Sequence, residues 1–282
     1  MGSFSILNNI SGLNAQNQLT VNNVNLTRTL LRLSSGKRIN SGADDAAGLQ
    51  MADSLRANVM ALDQAVRNAN DGIGVAQIAD GALQEITNLL TRSVTLAEES
   101  ATSTVDANGR TALANEFTQI KDEIQRIASQ TNFNGQAIFS ATTGLKGTMS
   151  VFVGDTSVAS SISVTIDTIT AGNVGGAVLD NVDLTDQTKA SANLGEIKKA
   201  LSGIASMRAT IGAGINRLQS AVAVLQTQSQ NTQAAESGIR DANVAAEVAN
   251  LTKYQVLAQS GIAALAQANS NNQIVLNLIK NA

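Results

Sequence analysis

Apolar residues recur at alternating spacings of three and four along most of the chain, a pattern typical of helices that pack side by side. The longest series runs from Ala52 to Val94 in one register and is interrupted by only two polar residues. Such a series predicts one long helix in a coiled-coil-like bundle. We expect this helix to begin near Ser41, because Ser41 and Asp44 can satisfy free backbone amides at a helix start.

Two further stretches repeat the same spacing. One follows the break at Asn108–Gly109 and runs from Leu113 to Ile127, and the other runs from Leu194 to Leu225. Each apolar stripe needs a surface to cover it, and these helices can cover one another. The pattern therefore predicts a helical bundle.

The segment between the second and third long helices has a different pattern. Met149–Val153 and Ser161–Ile166 alternate apolar with polar residues and are rich in β-branched side chains, which predicts two short strands. Residues 167–188 contain three glycines and are expected to form a loosely structured tip. The predicted fold class is mainly α, a long-helix coiled-coil bundle with a small β-hairpin region inserted between the second and third long helices.

The two chain ends carry weaker seams, in which Asn, Gln or Thr occupy positions that an isolated coiled coil would fill with leucine. Polar seam residues lower stability but fix register and partner. We therefore expect the ends to pair and to become ordered when neighbouring subunits cover their remaining apolar stripe. The residues assigned to these assembly seams are Ile6, Ile10, Leu13, Val24, Leu31, Val248, Leu251, Ile262, Leu265, Leu276 and Ile279.

These elements predict three regions, because the two ends resemble each other more than they resemble the middle. Residues 1–40 with 238–282 form paired terminal helices, residues 41–166 with 189–237 form a helical rod domain with β-hairpins, and residues 167–188 form a reduced variable tip.

The composition excludes most kinds of catalytic chemistry and metal binding. The 282 residues include no Cys, His or Pro, so thiol and imidazole catalysis and the usual zinc, haem or copper sites are excluded, and the strongest helix breaker is absent. The formal net charge of -3 argues against a nucleic-acid-binding protein. No run of about 18 apolar residues occurs, so we expect no membrane insertion. The N-terminus lacks the pattern of a cleaved signal peptide.

The remaining motifs give no catalytic constellation. Gly36–Lys37 looks like the end of a phosphate-binding loop, but the required earlier glycine is missing. The adjacent acids Asp44–Asp45 and Glu98–Glu99 would point about 100° apart on a helix, as residues at a helix start or on a solvated face do. We therefore expect no enzyme activity, no cofactor and no metal site.

Four separated stretches resemble the terminal signatures of bacterial flagellins and occur in the order found in that family. They are Leu33–Gln50 (LSSGKRINSGADDAAGLQ), Gln130–Gly135 (QTNFNG), Gly238–Asn243 (GIRDAN) and the neighbouring segments Leu251–Leu257 (LTKYQVL) and Leu265–Asn269 (LAQAN). Because the four matches are far apart in the chain, their shared order makes the resemblance specific.

The resemblance implies a structural subunit that is exported through the flagellar secretion channel and polymerises into the extracellular filament used for motility. In flagellins the terminal segments form an inner tube, the rods surround it, and a variable middle region projects outward. Here that middle region is short, so the outer part is expected to be small. The partners implied are other copies of the chain, an export chaperone, the filament cap and the hook-junction proteins.

Two alternatives stay open at this point. A hook–filament junction protein of the same family would share these signatures and would differ in copy number. A secreted helical adhesin or toxin acting on membranes would need basic amphipathic faces, whereas the terminal helices here are nearly uncharged.

The resemblance also implies a surface for host innate immune receptors. The stretch from Leu31 to Ala52 matches the flagellin segment that a plant receptor recognises, and Asp44, Asp45 and Gly48 are the matching residues. The rod surface that an animal receptor reads resembles Arg92, Leu96 and Glu116. The same six residues also fit a solvated or subunit-facing helix surface.

Overall fold

The computed structural model describes residues 9–140, 144–145, 147–154, 161–170 and 172–280. Within these residues the chain forms five helices, α1 Ile10–Ser35, α2 Ala46–Ser100, α3 Ala107–Gln130, α4 Gln187–Arg240 and α5 Val244–Lys280. The strands of the same residues are β1 Asn132–Phe133, β2 Gln136–Ala137, β3 Thr148–Phe152, β4 Ser161–Thr165, β5 Asn173–Val174 and β6 Ala177–Val178. The predicted fold class is confirmed, since long helices dominate and every strand of the described chain lies between α3 and α4.

The strands form three antiparallel pairs, β1 with β2, β3 with β4 and β5 with β6. In the longest pair Thr148 lies opposite Thr165 and Phe152 lies opposite Ser161. Alternate residues of β3 are buried, as expected for a strand with one face on the core. The two predicted strands are thus confirmed to within one residue at each end.

The chain divides into two compact units. Residues 1–57 and 231–282 form unit 1, and residues 58–230 form unit 2. The divisions fall inside α2 and α4, whereas the sequence boundaries were placed at residues 40/41 and 237/238. Because α2 and α4 are continuous helices, their hydrophobic patterns give no mark at these points.

The core of unit 2 follows a heptad seam along α2, but the register differs from the predicted one at every second position. The buried residues of this seam are Leu62, Ala65, Ala69, Gly72, Ala76, Ala79, Leu83, Ile86, Leu90, Ser93, Ala97 and Ser100. Ala79 and Ile86 therefore occupy the seam where the prediction placed Asp80 and Thr87. The predicted series favoured large apolar residues, whereas the bundle buries small ones at alternate positions so that its elements can approach closely.

Helix α4 shows the same offset. Ala200, Met207 and Gly214 are buried in its seam, although the prediction chose the residue after each of them. The reason is visible at Gly214, where an added Cβ would lie 2.8 Å from both methyl carbons of Val164 on β4. The β3–β4 hairpin therefore packs closely against α4 because a glycine is present there.

Residues 167–188 are well packed, so the expected loose tip is wrong for the described part of this segment. It contains the β5–β6 pair and buries Ile169, Val174, Ala177, Leu179, Val182 and Leu184 in the core of unit 2. The turn between its strands has positive φ at Gly175 and Gly176. A side chain at Gly203 of α4 would overlap the backbone of Gly175, so two glycines allow the turn to dock on the helix.

Candidate functional site

Helices α1 and α5 of unit 1 pack together as an antiparallel pair. At the start of α1, the Asn9 side-chain amide donates to the carbonyl oxygen of Ala268 at 3.3 Å, and its Oδ1 accepts from the backbone amide of Gly12 at 2.8 Å. At the other end, an Arg32 guanidinium nitrogen lies 3.4 Å from Oε1 of Glu247. These contacts fix the direction and the register of the pair.

The seam between α1 and α5 interleaves small residues with large ones. On α1 the buried or half-buried positions include Gly12, Ala15, Leu19, Asn22, Leu26, Thr29 and Leu33. On α5 they include Glu247, Leu251, Tyr254, Ala258, Gly261, Leu265 and Ala268. Both series alternate steps of three and four, so the helices pair through one face each.

Most of the predicted assembly residues lie on other faces of these helices and are exposed. We define the outward stripe as Ile10 (63% exposed), Leu13 (59%), Val24 (53%) and Leu31 (55%) on α1, with Val248 (45%) and Ile262 (59%) on α5. The remaining predicted residues divide into two groups. Leu251 and Leu265 are half-buried in the α1–α5 seam, whereas Ile6 and the side chains of Leu276 and Ile279 lie outside the described residues.

Further exposed apolar residues were not assigned to the assembly seams. Val21 and Leu30 on α1 and Val256, Leu257 and Ile274 on α5 fall outside the series with spacings of three and four, whereas Val244 begins the C-terminal series. Together with the outward stripe they give both helices more apolar surface than one partner can cover. The sequence signal that could have found them is the number of apolar residues in α1, which is larger than a single stripe along the helix contains.

The outward stripe continues into a groove of about 540 Å³ within unit 1. Its walls come from α1 and from the segment that precedes α2. The lining residues are Thr20, Asn23, Val24, Thr27, Arg28, Leu31, Ser41, Ala43 and Asp44. The groove therefore combines apolar walls with Arg28 and Asp44, whose charged groups are 3.9 Å apart.

Two backbone hydrogen bonds join the segment that follows α1 to the junction between α4 and α5. Helix α1 ends at Gly36, which takes a left-handed conformation with φ of 68°. The amide of Arg38 then donates to the carbonyl of Arg240 at 2.7 Å, and the amide of Ala242 donates to the carbonyl of Gly36 at 2.9 Å. Lys37 and Asp241 lie directly opposite each other. We call residues 36–38 and 240–242 the clasp.

The start of α2 is capped by Asp45 rather than by Ser41, which corrects the prediction. Oδ1 of Asp45 accepts from the amide of Gly48 at 2.9 Å, and helix α2 begins directly after it. The carboxylate of Asp44 instead accepts from the Ser41 hydroxyl at 3.0 Å, closing a turn before the helix. This bond holds the pKa of Asp44 below its usual value. A Cβ at Gly48 in the first turn of α2 would lie 2.5 Å from Oδ2 of Asp45 and 2.7 Å from Cδ1 of Ile39, so a larger residue there requires these side chains to shift.

The second group of predicted receptor residues is only partly on the surface. Nε of Arg92 on α2 lies 2.8 Å from Oε1 of Glu116 on α3, and both side chains are about half exposed. The hydrogen bond that Arg92 donates to Glu116 raises the pKa of Arg92. Leu96 is fully buried in the core of unit 2. Its assignment to a receptor-binding surface is therefore wrong, because no partner of the folded chain can reach its side chain.

The described residues give no arrangement for metal or membrane chemistry. Among them, no group of three or more His, Cys, Asp or Glu side chains could hold a metal ion. In the same part of the chain, no helix is long and apolar enough to cross a bilayer.

The comparisons with known proteins agree on one family. The sequence profile of the bacterial flagellin N-terminal helical region matches residues 6–143, and that of the C-terminal helical region matches residues 194–279. A flagellin of Halalkalibacterium halodurans is 36% identical over 275 residues, and a flagellin of Treponema pallidum is 38% identical over 287 residues. Each alignment covers 98% of this chain and 99% of the relative.

A solved structure shares the fold as well. It is assigned as a flagellar hook-associated protein of Vibrio parahaemolyticus, is 15% identical, and aligns with a TM-score of 0.58 over 70% of this chain and 100% of its own. At that identity the likeness concerns the fold alone. The near-full-length relatives and both sequence profiles show that this chain belongs to the bacterial flagellin family.

Proposed function

We propose that this flagellin polymerises into the extracellular flagellar filament by burying the outward stripe of α1 and α5 against neighbouring copies. Flagellins are structural proteins, and this chain is not an enzyme. The observation that carries the proposal is the exposure of six large aliphatic side chains on a helix pair that is already joined by another face. Monomeric proteins rarely leave such a continuous apolar surface uncovered.

Helical geometry separates the two faces of α1. Each α1 residue of the outward stripe stands two positions before a seam residue, as Ile10 does before Gly12 and Leu31 before Leu33. Two positions correspond to about 200° around a helix, so the stripe lies nearly opposite the seam. A partner that covers the stripe can therefore bind without displacing α5.

Burial of the outward stripe makes a large contribution to assembly. Full burial of an aliphatic side chain gives about 1.5–3 kcal/mol, so covering the exposed half of each residue gives roughly 1 kcal/mol. Six residues then contribute roughly 6 kcal/mol for each subunit before the entropic cost of association.

The test replaces two stripe residues that also line the groove. In the variant Val24→Ser/Leu31→Ser we expect the critical concentration for seeded polymerisation to rise about 30-fold, because roughly 2 kcal/mol of burial is lost. The control Asn17→Ser/Thr20→Ser changes exposed residues of the same helix face without removing large apolar groups, and should polymerise normally. Sedimentation and electron microscopy measure both. Filaments from the first variant at the normal critical concentration would contradict the proposal.

In the same proposal, residues 1–40 with 238–282 form the inner tube layer, residues 41–166 with 189–237 form the surrounding rod layer, and residues 167–188 form a small outer part. Export through the flagellar channel, an export chaperone, the filament cap and the hook-junction proteins are further partners and steps expected for this family. The hook–filament junction alternative is not favoured, because the curated relatives that cover nearly the whole chain are flagellins and filament core proteins.

We also propose two receptor-facing surfaces, one at Asp44, Asp45 and Gly48 and one at Arg92 and Glu116. The exposed ion pair between Arg92 and Glu116 supports the second surface, since both side chains are accessible in the subunit. Receptor-reporter cells exposed to the full chain and to Glu116→Ala test this surface, with exposed Glu85→Ala as the matched control. Equal activation by both variants would remove Glu116 from it.

A further inference from the structure

The dipeptide Asn–Gly occurs twice in the chain, at Asn108–Gly109 and at Asn134–Gly135. In this dipeptide the asparagine side chain reacts readily with the backbone, because glycine has no Cβ to hinder the approach of its own amide nitrogen. The reaction requires that this nitrogen is free and that the peptide unit around it can rotate. The two Asn–Gly sites differ in both respects.

Asn134 and Gly135 form the exposed two-residue loop between β1 and β2. Phe133 lies opposite Gln136, and the φ angles of 49° at Asn134 and 78° at Gly135 are positive, as in a type I′ turn. A Cβ at Gly135 would have no neighbouring atom within 4 Å. No group in the described part of the chain accepts a hydrogen bond from the Gly135 amide. The ladder behind the loop is two residue pairs long, so a brief opening of the turn costs little.

Asn108 and Gly109 lie in the first turn of α3. The Gly109 amide donates to Oδ1 of Asp106 at 2.8 Å, and the amide of Arg110 donates to the carbonyl of Asp106 at 3.0 Å. The nitrogen that would react is therefore already engaged by the N-cap of the helix. This cap must open before Asn108 can react.

We propose that Asn134 is a site of spontaneous deamidation and isoaspartate formation in the folded subunit, whereas the cap of α3 protects Asn108. The Gly135 amide nitrogen loses its proton and attacks Cγ of Asn134, so that a new C–N bond forms and the side-chain nitrogen leaves as ammonia. Water then opens the resulting cyclic imide. Cleavage of the new C–N bond gives aspartate, and cleavage of the original peptide bond gives isoaspartate. The inference does not depend on the polymerisation proposed above.

The isoaspartate product changes the loop in two ways. It carries a carboxylate where the chain had a neutral amide, and it adds a methylene group to the main chain between Phe133 and Gln136. A two-residue loop must match the twist of its strands, so the lengthened loop should weaken the pairing of β1 with β2. The free α-carboxylate of isoaspartate is also the group that isoaspartyl methyltransferases methylate with S-adenosylmethionine. An aged subunit would therefore be a substrate for this class of enzyme.

Peptide mapping measures both sites in one sample of the full-length protein. The purified chain is kept in warm, mildly alkaline buffer, which favours loss of the attacking amide proton, and samples taken over time are digested with trypsin in mildly acidic buffer. The two sites fall in separate tryptic peptides, residues 93–110 and 127–146. Mass spectrometry follows the conversion of each amide to a carboxylate, and methyl transfer by an isoaspartyl methyltransferase measures the isoaspartate.

In the folded chain we expect Asn134 to convert at least about fivefold faster than Asn108, the factor that corresponds to a typical N-cap. In urea, where turn and helix are both absent, the two rates should agree within about twofold. Asp106→Ala should raise the rate at Asn108 about fivefold and leave the rate at Asn134 unchanged. Circular dichroism checks that this variant keeps its helix content. Asn134→Gln should remove most of the methyl-transfer signal, because a glutamine side chain has to close a larger ring.

Three results would overturn the proposal. Conversion of Asn108 in the folded chain at the rate of Asn134 or faster would show that the cap gives no protection. Conversion of Asn134 in urea but not in the folded chain would show that the β1–β2 turn protects it as well. A methyl-transfer signal that is undiminished in Asn134→Gln would place the isoaspartate elsewhere in the chain.

Discussion

Adding a single methyl group to α4 should show whether a buried glycine controls how closely the β3–β4 hairpin packs in unit 2. Gly214 is buried on α4, and a Cβ there would lie 2.8 Å from both Cγ atoms of Val164. Val164 is 1% exposed on β4. Because both methyl groups are in the way, rotation of the valine side chain cannot relieve the overlap, and the β3–β4 hairpin must move by about 0.6 Å to reach ordinary contact.

Two opposing terms set the size of the effect. Replacing glycine by alanine inside a helix stabilises by about 1 kcal/mol, whereas overpacking a well-packed core costs about 1–3 kcal/mol. Gly214→Ala should therefore destabilise unit 2 by about 1 kcal/mol. Gly212→Ala is the matched control, since it is two residues away on the same helix and a Cβ there has nothing within 4 Å. It should stabilise by up to about 1 kcal/mol.

Thermal unfolding of the full chain followed by circular dichroism measures both variants. For a unit of this size 1 kcal/mol corresponds to about 2–4 °C, so the melting temperatures of the two variants should differ by about 4–8 °C. A double-mutant cycle with Val164→Ala should give a coupling of about 1 kcal/mol that favours the double variant, because the two residues are in contact. A melting temperature for Gly214→Ala equal to that of Gly212→Ala would refute the reasoning.

The remaining predictions concern the ends and the pH response. Removing about 30 residues from either end deletes most of one member of the α1–α5 pair, so the product should stay soluble and should not polymerise. Pelletable polymer in a seeded sedimentation assay would contradict this prediction. Asp183 accepts hydrogen bonds from Lys189 at 2.8 Å and from Thr185, and these hold its pKa well below the usual 3.8. The stability that this carboxylate contributes is therefore complete above the usual pKa and is lost as the pH falls through the lower, folded-state value. The difference in melting temperature between the wild type and Asp183→Asn should shrink in acid, whereas a difference independent of pH would exclude this assignment.

The sequence predicted the helices and strands well because their periodicities are strong, but it misplaced half of each seam. Asp80, Thr87 and Arg208 interrupted the predicted series, and these interruptions already indicated that the true seam lies one residue earlier. Small residues such as Ala79 and Gly214 carry little hydrophobic weight in a sequence pattern. Their value depends on what packs against them, and the neighbouring β3–β4 hairpin is distant from both helices in the chain.

The candidate site was predictable only in part, for a related reason. An amphipathic pattern shows that a face will be buried but does not name the partner. In α1 the large apolar residues formed the clearest series, and their exposure shows that α5 is not what covers them. Besides its leucines, the seam facing α5 contains Gly12, Ala15 and Asn22, which carry little hydrophobic weight in a sequence pattern. Leu96 shows the converse error. It was assigned to a surface, but it is buried, because its place on a helix does not tell which face of that helix is covered.

This division of residues bears on when the terminal helices gain their stability. Burial yields about 0.8 kcal/mol for each CH₂ group, and the α1–α5 seam interleaves leucines and a tyrosine with small residues such as Gly12, Ala15 and Gly261, which contribute little. Further large side chains, such as Ile10, Leu13 and Ile262, are on the outward stripe. In the proposed filament these exposed residues are covered by other copies, so a substantial part of the apolar burial of α1 and α5 is gained only on assembly.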